Sequence, residues 1–256
     1  MKAGDEMISI SDSKGNIQNV DFFINEEGIL QPLGLLVTRD SRYDLFPSTR
    51  DITDEVPGMH GEIDFGTEFK TKLLELNVAT MDENYNLLLS KPQLKELITK
   101  YLDPTKGYKS LVFADDINKM YMVKYSGRIT PEEYSNWFQF TIPFKMTKPF
   151  AISTFEKRIT GNGTLYNNGT RETGLAIDIA GPVSNPSITI GTDILTYNGT
   201  LTAGQVLTID TELGTAKIGD INAINEYNKV FPLLYPGDTN VIAYSNVSIR
   251  WRDKWI

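Results

Sequence analysis

Cysteine is absent from the chain, and histidine occurs once, at His60. Without thiols there is no disulfide framework, no thiolate zinc site and no cysteine nucleophile. One histidine excludes paired-histidine metal motifs, and no Gly-x-Ser-x-Gly elbow exists for a serine hydrolase. His60 sits in "PGMHGE", a turn setting rather than that of a general base. Phosphate-binding loops of the Gly-x-x-x-x-Gly-Lys-Ser/Thr and Gly-x-Gly-x-x-Gly types are missing, and no EF-hand-type loop is present. The lone Gly-x-Gly in "TGNGT" (160–164) reads as a tight β-turn. No apolar run reaches the roughly 18–20 residues that span a bilayer. "MKAGDEMISI" has no apolar signal core, so the sequons at Asn162, Asn168, Asn198 and Asn246 read as turn chemistry.

Basic side chains are scarce at the start. Residues 1–68 hold 14 acidic and 5 basic side chains, whereas the remainder holds 19 and 20. An acidic first third disfavours tight binding to a nucleic-acid backbone, which needs clustered Lys and Arg. It reads as a solvated acidic surface. Paired carboxylates such as Asp210 with Glu212, or Asp115 with Asp116, satisfy the bare requirement of a glycosidase. With 33 acidic residues such pairs arise by chance, so no catalytic site is assigned.

What the chain has is β-forming material. Its 256 residues, 40% of them hydrophobic, suffice for one large core or two medium ones. "MISISDSKGNIQN" reads as a strand and turn, and "GILQPLGLLVTRDS" as an apolar run broken by Pro32 and Gly34. Residues 39–61, rich in charge and turn formers, read as a long exposed loop or protruding hairpin arm. "KLLELNVAT" (72–80) is a strand. The one convincing helix is "SKPQLKELITKYLD" (90–103), where Leu94, Leu97, Ile98, Tyr101 and Leu102 share a face. Ser90 with Gln93 forms a capping-box pattern, and Asp103-Pro104 stops the helix. "YKSLVFAD" and "KMYMVKYSG" suggest a hairpin turning at Asp116, Ile117 and Asn118. "WFQFTIPFKM" (137–146) puts Phe138, Phe140, Ile142 and Phe144 on one face, with Pro143 suggesting an edge or a bulge.

Near residue 152 the texture changes. Beyond it no helical period occurs, and short alternating runs are separated by turns every 8–12 residues, the pattern of an antiparallel sandwich. The expected fold is therefore mainly β. A β-rich α+β or β-sandwich domain, 1–152, carries helix 90–103, and an antiparallel β-sandwich occupies 153–256. In the closing "VSIRWRDKWI", Ile249 and Trp251 should point inward and Arg250, Arg252 and Lys254 outward, as a core-closing strand with a solvated basic face.

Several segments together carry a family resemblance. They are "VPGMHGEIDFGTEFKTKLLELNVAT" (56–80), with a Pro-Gly turn and small-residue loop before a strand, the helix that follows, and the aromatic strand ending in "KMTKPF". To these add "YNNGTRETGLAIDIAGPVSNPSITI" (166–190), "LTIDTELGTAKIG" (207–219) and "FPLLYPGDTNVIAYSNVSIRWRDKW". In this order they resemble the distal tail protein (Dit) family of long, non-contractile-tailed bacteriophages and prophages, the siphovirus-type tail components.

The resemblance implies a virion structural protein and not an enzyme, with no cofactor. It implies a homohexameric hub ring, formed by the N-terminal domains at the tail tip, around a channel for DNA passage. The C-terminal half is then a galectin-like sandwich. Implied partners are the chain itself, the major tail tube protein, the tape measure protein, tail-associated proteins and, in some phages, receptor-binding proteins. DNA transits without specific binding, no membrane is involved, and the protein is made in the host bacterial cytoplasm. In that setting Arg39, Arg42, Tyr43, Phe46 and Arg50 are the candidate residues of an intersubunit arm. Trp255 is the candidate contact for a sugar or a partner. The alternative function is a carbohydrate-binding, lectin-like host-adhesion module.

Overall fold

The computed structural model describes residues 20–24, 29–30, 36–37, 42–43, 46–80, 90–113, 116–134 and 137–256. Packing divides the chain into two units, one ending at Ala151 and also counting Ile256, the other spanning Ile152–Trp255. The strand expected near the N-terminus lies outside the described residues.

In chain order the first unit has β1 (Val20–Ile24), β2 (Ile29–Leu30), β3 (Leu36–Val37), β4 (Arg42–Tyr43), β5 (Thr49–Asp54), β6 (Ile63–Phe69) and β7 (Lys72–Ala79). Helix α1 (Lys91–Tyr101) follows, then β8 (Lys109–Phe113), β9 (Asp116–Tyr125), β10 (Glu132–Glu133) and β11 (Phe138–Met146). The main sheet runs β2-β1-β8-β9-β11-β7-β3, with β10 beside β11 and β4 beside β7. Its strongest ladder joins β11 to β7 antiparallel, from Gln139↔Ala79 to Met146↔Lys72. Residues alternate across the pleat, so Leu74, Leu76 and Val78 meet Phe138, Phe140, Ile142, Phe144 and Met146 in one core. Helix α1 adds Leu94 and Ile98 to that core, and its C-cap residue adds Leu102. The backbone N and Oγ of Ser90 both donate to Gln93 Oε1, at 2.9 and 2.7 Å, which fixes the helix start. Beyond Leu102, Asp103 Oδ1 accepts from Thr105 N at 2.9 Å and opens a single 3-10 turn, Pro104–Lys106.

Two expectations need correcting here. Strand β9 begins at Asp116, so residues 116–118 belong to a strand and not to the turn; a bulge after Val112 lets β8 and β9 stay paired. Pro143 is not on a sheet edge either, since β11 lies between β9 and β7. Pairing with β9 ends at Phe144↔Tyr125, and Ser126 N then donates to Pro143 O at 3.0 Å. The ring therefore sits where the neighbouring strand leaves, and its missing N–H interrupts no ladder bond on that side. Gly127, at φ 142°, makes room for it: a Cβ there would lie 2.8 Å from Pro143 Cγ.

After β12 (Ala151–Ser153), the second unit contains β13 (Lys157–Thr160), β14 (Gly163–Asn167), β15 (Ala176–Ala180), β16 (Val183–Ser184), β17 (Ser187–Ile190), β18 (Asp193–Thr196) and β19 (Thr200–Leu201). It ends with β20 (Val206–Asp210), β21 (Thr215–Ile218), β22 (Ile221–Asn222), β23 (Gly237–Ile242), β24 (Val247–Trp251) and β25 (Lys254–Trp255). One sheet is ordered β13-β24-β15-β20-β21-β22 and the other β14-β23-β17-β18. Ile177, Ile179, Leu207, Ile209, Ile249 and Trp251 of the first pack with Leu165, Ile188, Ile190, Leu195 and Val241 of the second, giving a β-sandwich core. A buried side chain at the end of β14 ties down the loops beside this core. Asn167 Nδ2 donates to the carbonyls of Arg171 and Leu234, both at 2.9 Å, while its Oδ1 accepts from Gly169 N at 2.8 Å.

Candidate functional site

The β5–β6 ribbon is the outstanding feature of the first unit. Its strands pair with each other and, among the described residues, with no third strand. Every residue from Thr49 to Glu62 is exposed. Across the ribbon Arg50 meets Glu68 at 2.5 Å, and Thr67 Oγ1 donates to Asp51 Oδ1 at 2.6 Å. Between the pairs Asp51↔Thr67 and Thr53↔Asp64 the register slips, setting Ile52 against Phe65 and Gly66. Gly66 takes φ 114° at this bulge, and its N donates to Asp64 Oδ1 at 2.8 Å.

The base of the ribbon is held by aromatics. Phe69 lies edge-on to Phe46, 5.5 Å between centroids, and to Phe150, 5.8 Å. Lys70 N donates to Ser48 O at 2.8 Å. An isolated two-stranded ribbon is marginal in water, so this base fixes where the arm leaves the sheet. From there it extends, over seven residues of β6 at about 3.3 Å each, roughly 23 Å to a tip made of Glu55, Val56, Pro57, Gly58, Met59, His60, Gly61 and Glu62.

The candidate arm residues fall at different places. Arg39 lies outside the described residues. Arg42 and Tyr43 form β4, paired to β7 through Arg42↔Glu75 and Tyr43↔Leu74. Phe46 is at the base and Arg50 on the ribbon. Sequence reading ended the loop or hairpin arm at residue 61 and assigned no strand to 63–69, which form β6. Gly66 interrupts the alternation of Ile63, Phe65 and Phe69, and only a bulge reconciles it with pairing.

The closing strand β24 is interior, between β13 and β15. Ile249 and Trp251 point into the core, 0% and 5% exposed. The basic side chains are not the solvated row that was expected. Arg250 Nη2 contacts Asp178 Oδ2 at 2.9 Å, Arg252 Nη1 donates to Ser153 O at 2.7 Å, and Lys254 Nζ lies 3.4 Å from Glu212 Oε2. All three are half-buried. Asp253, 2% exposed, pairs with Lys157 at 2.6 Å. Trp255 is half-buried in β25, and the neighbouring Lys254 O accepts from both Thr170 N and Arg171 N at 3.0 Å.

The remaining chemical candidates have structural roles. His60 is exposed at the arm tip, and Asp210 Oδ1 accepts from Glu212 N and Leu213 N, closing a turn. Asp116 pairs with Lys119 at 2.6 Å. Among the described residues no group of three or more His, Asp or Glu side chains could hold a metal ion, and no helix is long and apolar enough to cross a membrane. Burial pushes the Tyr227 phenol well above its ordinary range, and hydrogen bonds from Thr105 hold the half-buried Asp103 carboxyl below its own.

Comparison with known proteins gives these shapes a context. Residues 30–146 match the phage tail protein RIFT-related domain, and residues 168–255 match the C-terminal domain of the siphovirus-type tail component. No curated protein sequence matches the chain. Among solved structures, the chain is similar to the SPP1 Dit protein, described as a paradigm of the hub adsorption apparatus in phages infecting Gram-positive bacteria. The TM-score is 0.67 at 14% identity, over 93% of this chain and 99% of that one. It is also similar to a chain of the phage P2 baseplate in its activated conformation with Ca (TM-score 0.52, 9% identity, covering 92% and 97%) and with Sr (0.53, 9%, 92% and 97%). These likenesses establish the fold. With one tail-protein model matching in each unit, the chain belongs to the siphovirus-type tail component (Dit) family, a structural and non-enzymatic part of the phage tail.

Proposed function

We propose that six copies of the chain close into a hub ring at the distal end of the tail tube. In this reading residues 1–152 form the ring, and residues 153–256 project toward tail-associated and, in some phages, receptor-binding proteins. The ring joins the major tail tube protein above to the adhesion proteins below. Its channel passes the tape measure protein and then the DNA.

The β5–β6 arm carries this reading. A ribbon that is exposed on both faces and firmly held at its base gains little for an isolated subunit. A closed ring requires two different patches on each subunit, and an arm that reaches the next copy supplies one of them. Phe46 and Arg50 lie on that arm and its base, while Arg39, Arg42 and Tyr43 precede it in the chain. The acidic first third suits a wall that DNA must pass without being held, because few cations are there to displace counterions. Trp255 is assigned to contact with a partner at the end of the sandwich unit. Sedimentation of separate fragments tests the division of labour. Residues 1–152 should assemble and 153–256 should remain a folded monomer; the reverse would exchange the two roles.

A further inference from the structure

The outward side of the first unit's sheet carries a patch whose character mirrors that of the arm. On β7, Leu73 is 57% exposed between the buried Lys72 and Leu74. Register places Leu73 opposite Lys145 of β11, and Lys145 opposite Lys124 of β9. Residues directly opposite one another share a face, so the three form one row across three strands. Among the described residues neither Lys124 nor Lys145 has an ion-pair partner. Tyr108, 44% exposed, joins this side through its hydroxyl, 2.8 Å from Thr147 Oγ1. The patch is thus apolar at Leu73 and Tyr108 and cationic between.

The arm has the opposite charge around a similar centre. Residues 49–69 hold six carboxylates and one arginine. At the bulge Ile52, 38% exposed, faces Phe65, 63% exposed. Along the two strands Asp51, Asp54, Asp64 and Glu68 flank this apolar pair; alternation puts Asp54 on the face of Ile52, and Glu68 is already paired with Arg50. The rest of the unit, residues 70–151, holds 12 basic and 9 acidic side chains, so the sign difference lies between the arm and its own sheet.

We propose that the arm of one copy docks on the Leu73–Lys145–Lys124 row of the next copy. Ile52 and Phe65 pack against Leu73, and the arm's carboxylates face the two lysines. This rests on the ring reading above and specifies the second patch that such a ring requires. Complementary charge sets the register of the contact and excludes arm-to-arm association, since two acidic ribbons repel.

The test is a charge exchange in the full-length chain, read by the concentration at which assemblies dissociate. Lys124→Glu with Lys145→Glu should weaken assembly at least tenfold, and so should Asp54→Lys with Asp64→Lys. All four changes together should recover most of the loss. Phe65→Ser, a change at an exposed position, should weaken assembly with no change in melting temperature, which separates contact from folding. If both charge pairs leave assembly at wild-type strength, the arm docks elsewhere and the proposal is wrong while the ring stands. If each pair weakens assembly but the combination weakens it further, arm and row make separate contacts and the proposal is again overturned. A wild-type chain that stays monomeric removes the ring reading and this one with it.

Discussion

Trp251 and Tyr166 are joined across the sandwich core: the indole Nε1 donates to the Tyr166 carbonyl at 3.2 Å. The bond ties the interior strand of one sheet to a strand of the other, and it satisfies the one polar group that Trp251 brings into the core. Trp251→Ala removes both the packing and the bond, and such changes cost about 3–5 kcal/mol. Since a domain is held by roughly 5–15 kcal/mol, the melting transition of the second unit should fall sharply. A variant that melts like the wild type would mean that this ring does not close the core.

Lys157 and Asp253 supply a second test. The carboxylate side chain is 3% exposed and the lysine's 20%. Lys157→Ala leaves a buried carboxylate unpaired, whereas Lys157→Met with Asp253→Leu removes both charges. Breaking one side of a buried pair costs about 3–5 kcal/mol, while apolar replacement of both is often close to neutral. Chemical denaturation should therefore find the double variant more stable than the single one. The reverse order would show that the pair is hydrated and unimportant.

The phenol of Tyr227 gives a pH prediction. Tyr227 is 2% exposed, donates to the Val230 carbonyl, and has its pKa raised by burial. A group whose pKa is raised on folding contributes stability that is fully present below its unfolded value, about 10, and is lost as pH climbs toward the folded value. The second unit should lose stability progressively above pH ~10, and Tyr227→Phe should flatten that part of the profile. An unchanged alkaline limb in Tyr227→Phe would assign the loss to other groups.

The base of the arm can be loosened without touching the core. Phe69→Ala deletes the edge-on contacts to Phe46 and Phe150, each worth about 0.5–1.5 kcal/mol beyond area burial. Assembly should weaken because the arm is no longer aimed, while the core of the unit, which does not contain Phe69, melts nearly as before. Equal loss of both would make Phe69 a core residue in practice.

These tests also mark what could be read from the chain alone. Alternation showed the buried faces of β11 and β24 because burial on one side of a strand imposes period two. The helix was readable from its one-sided apolar face and from Ser90 and Gln93. Strand β6 was hidden because Gly66 breaks the alternation, and a bulge is a property of two strands that neither segment shows separately. The pairing of Arg250 with Asp178 and of Lys157 with Asp253 was hidden for the same reason. A run of alternating basic residues looks solvated until the strand beside it is known. The row of Leu73, Lys145 and Lys124 exists only through register, since 72 positions separate Leu73 from Lys145.

Native mass spectrometry of the full-length chain, repeated at low and high ionic strength and over a range of concentrations, tests the central claim most directly. A hexameric hub predicts a discrete species of six copies, with six-fold rings in negatively stained images of the same sample. A chain that remains monomeric throughout, or that stops at a two-fold dimer, would contradict the account.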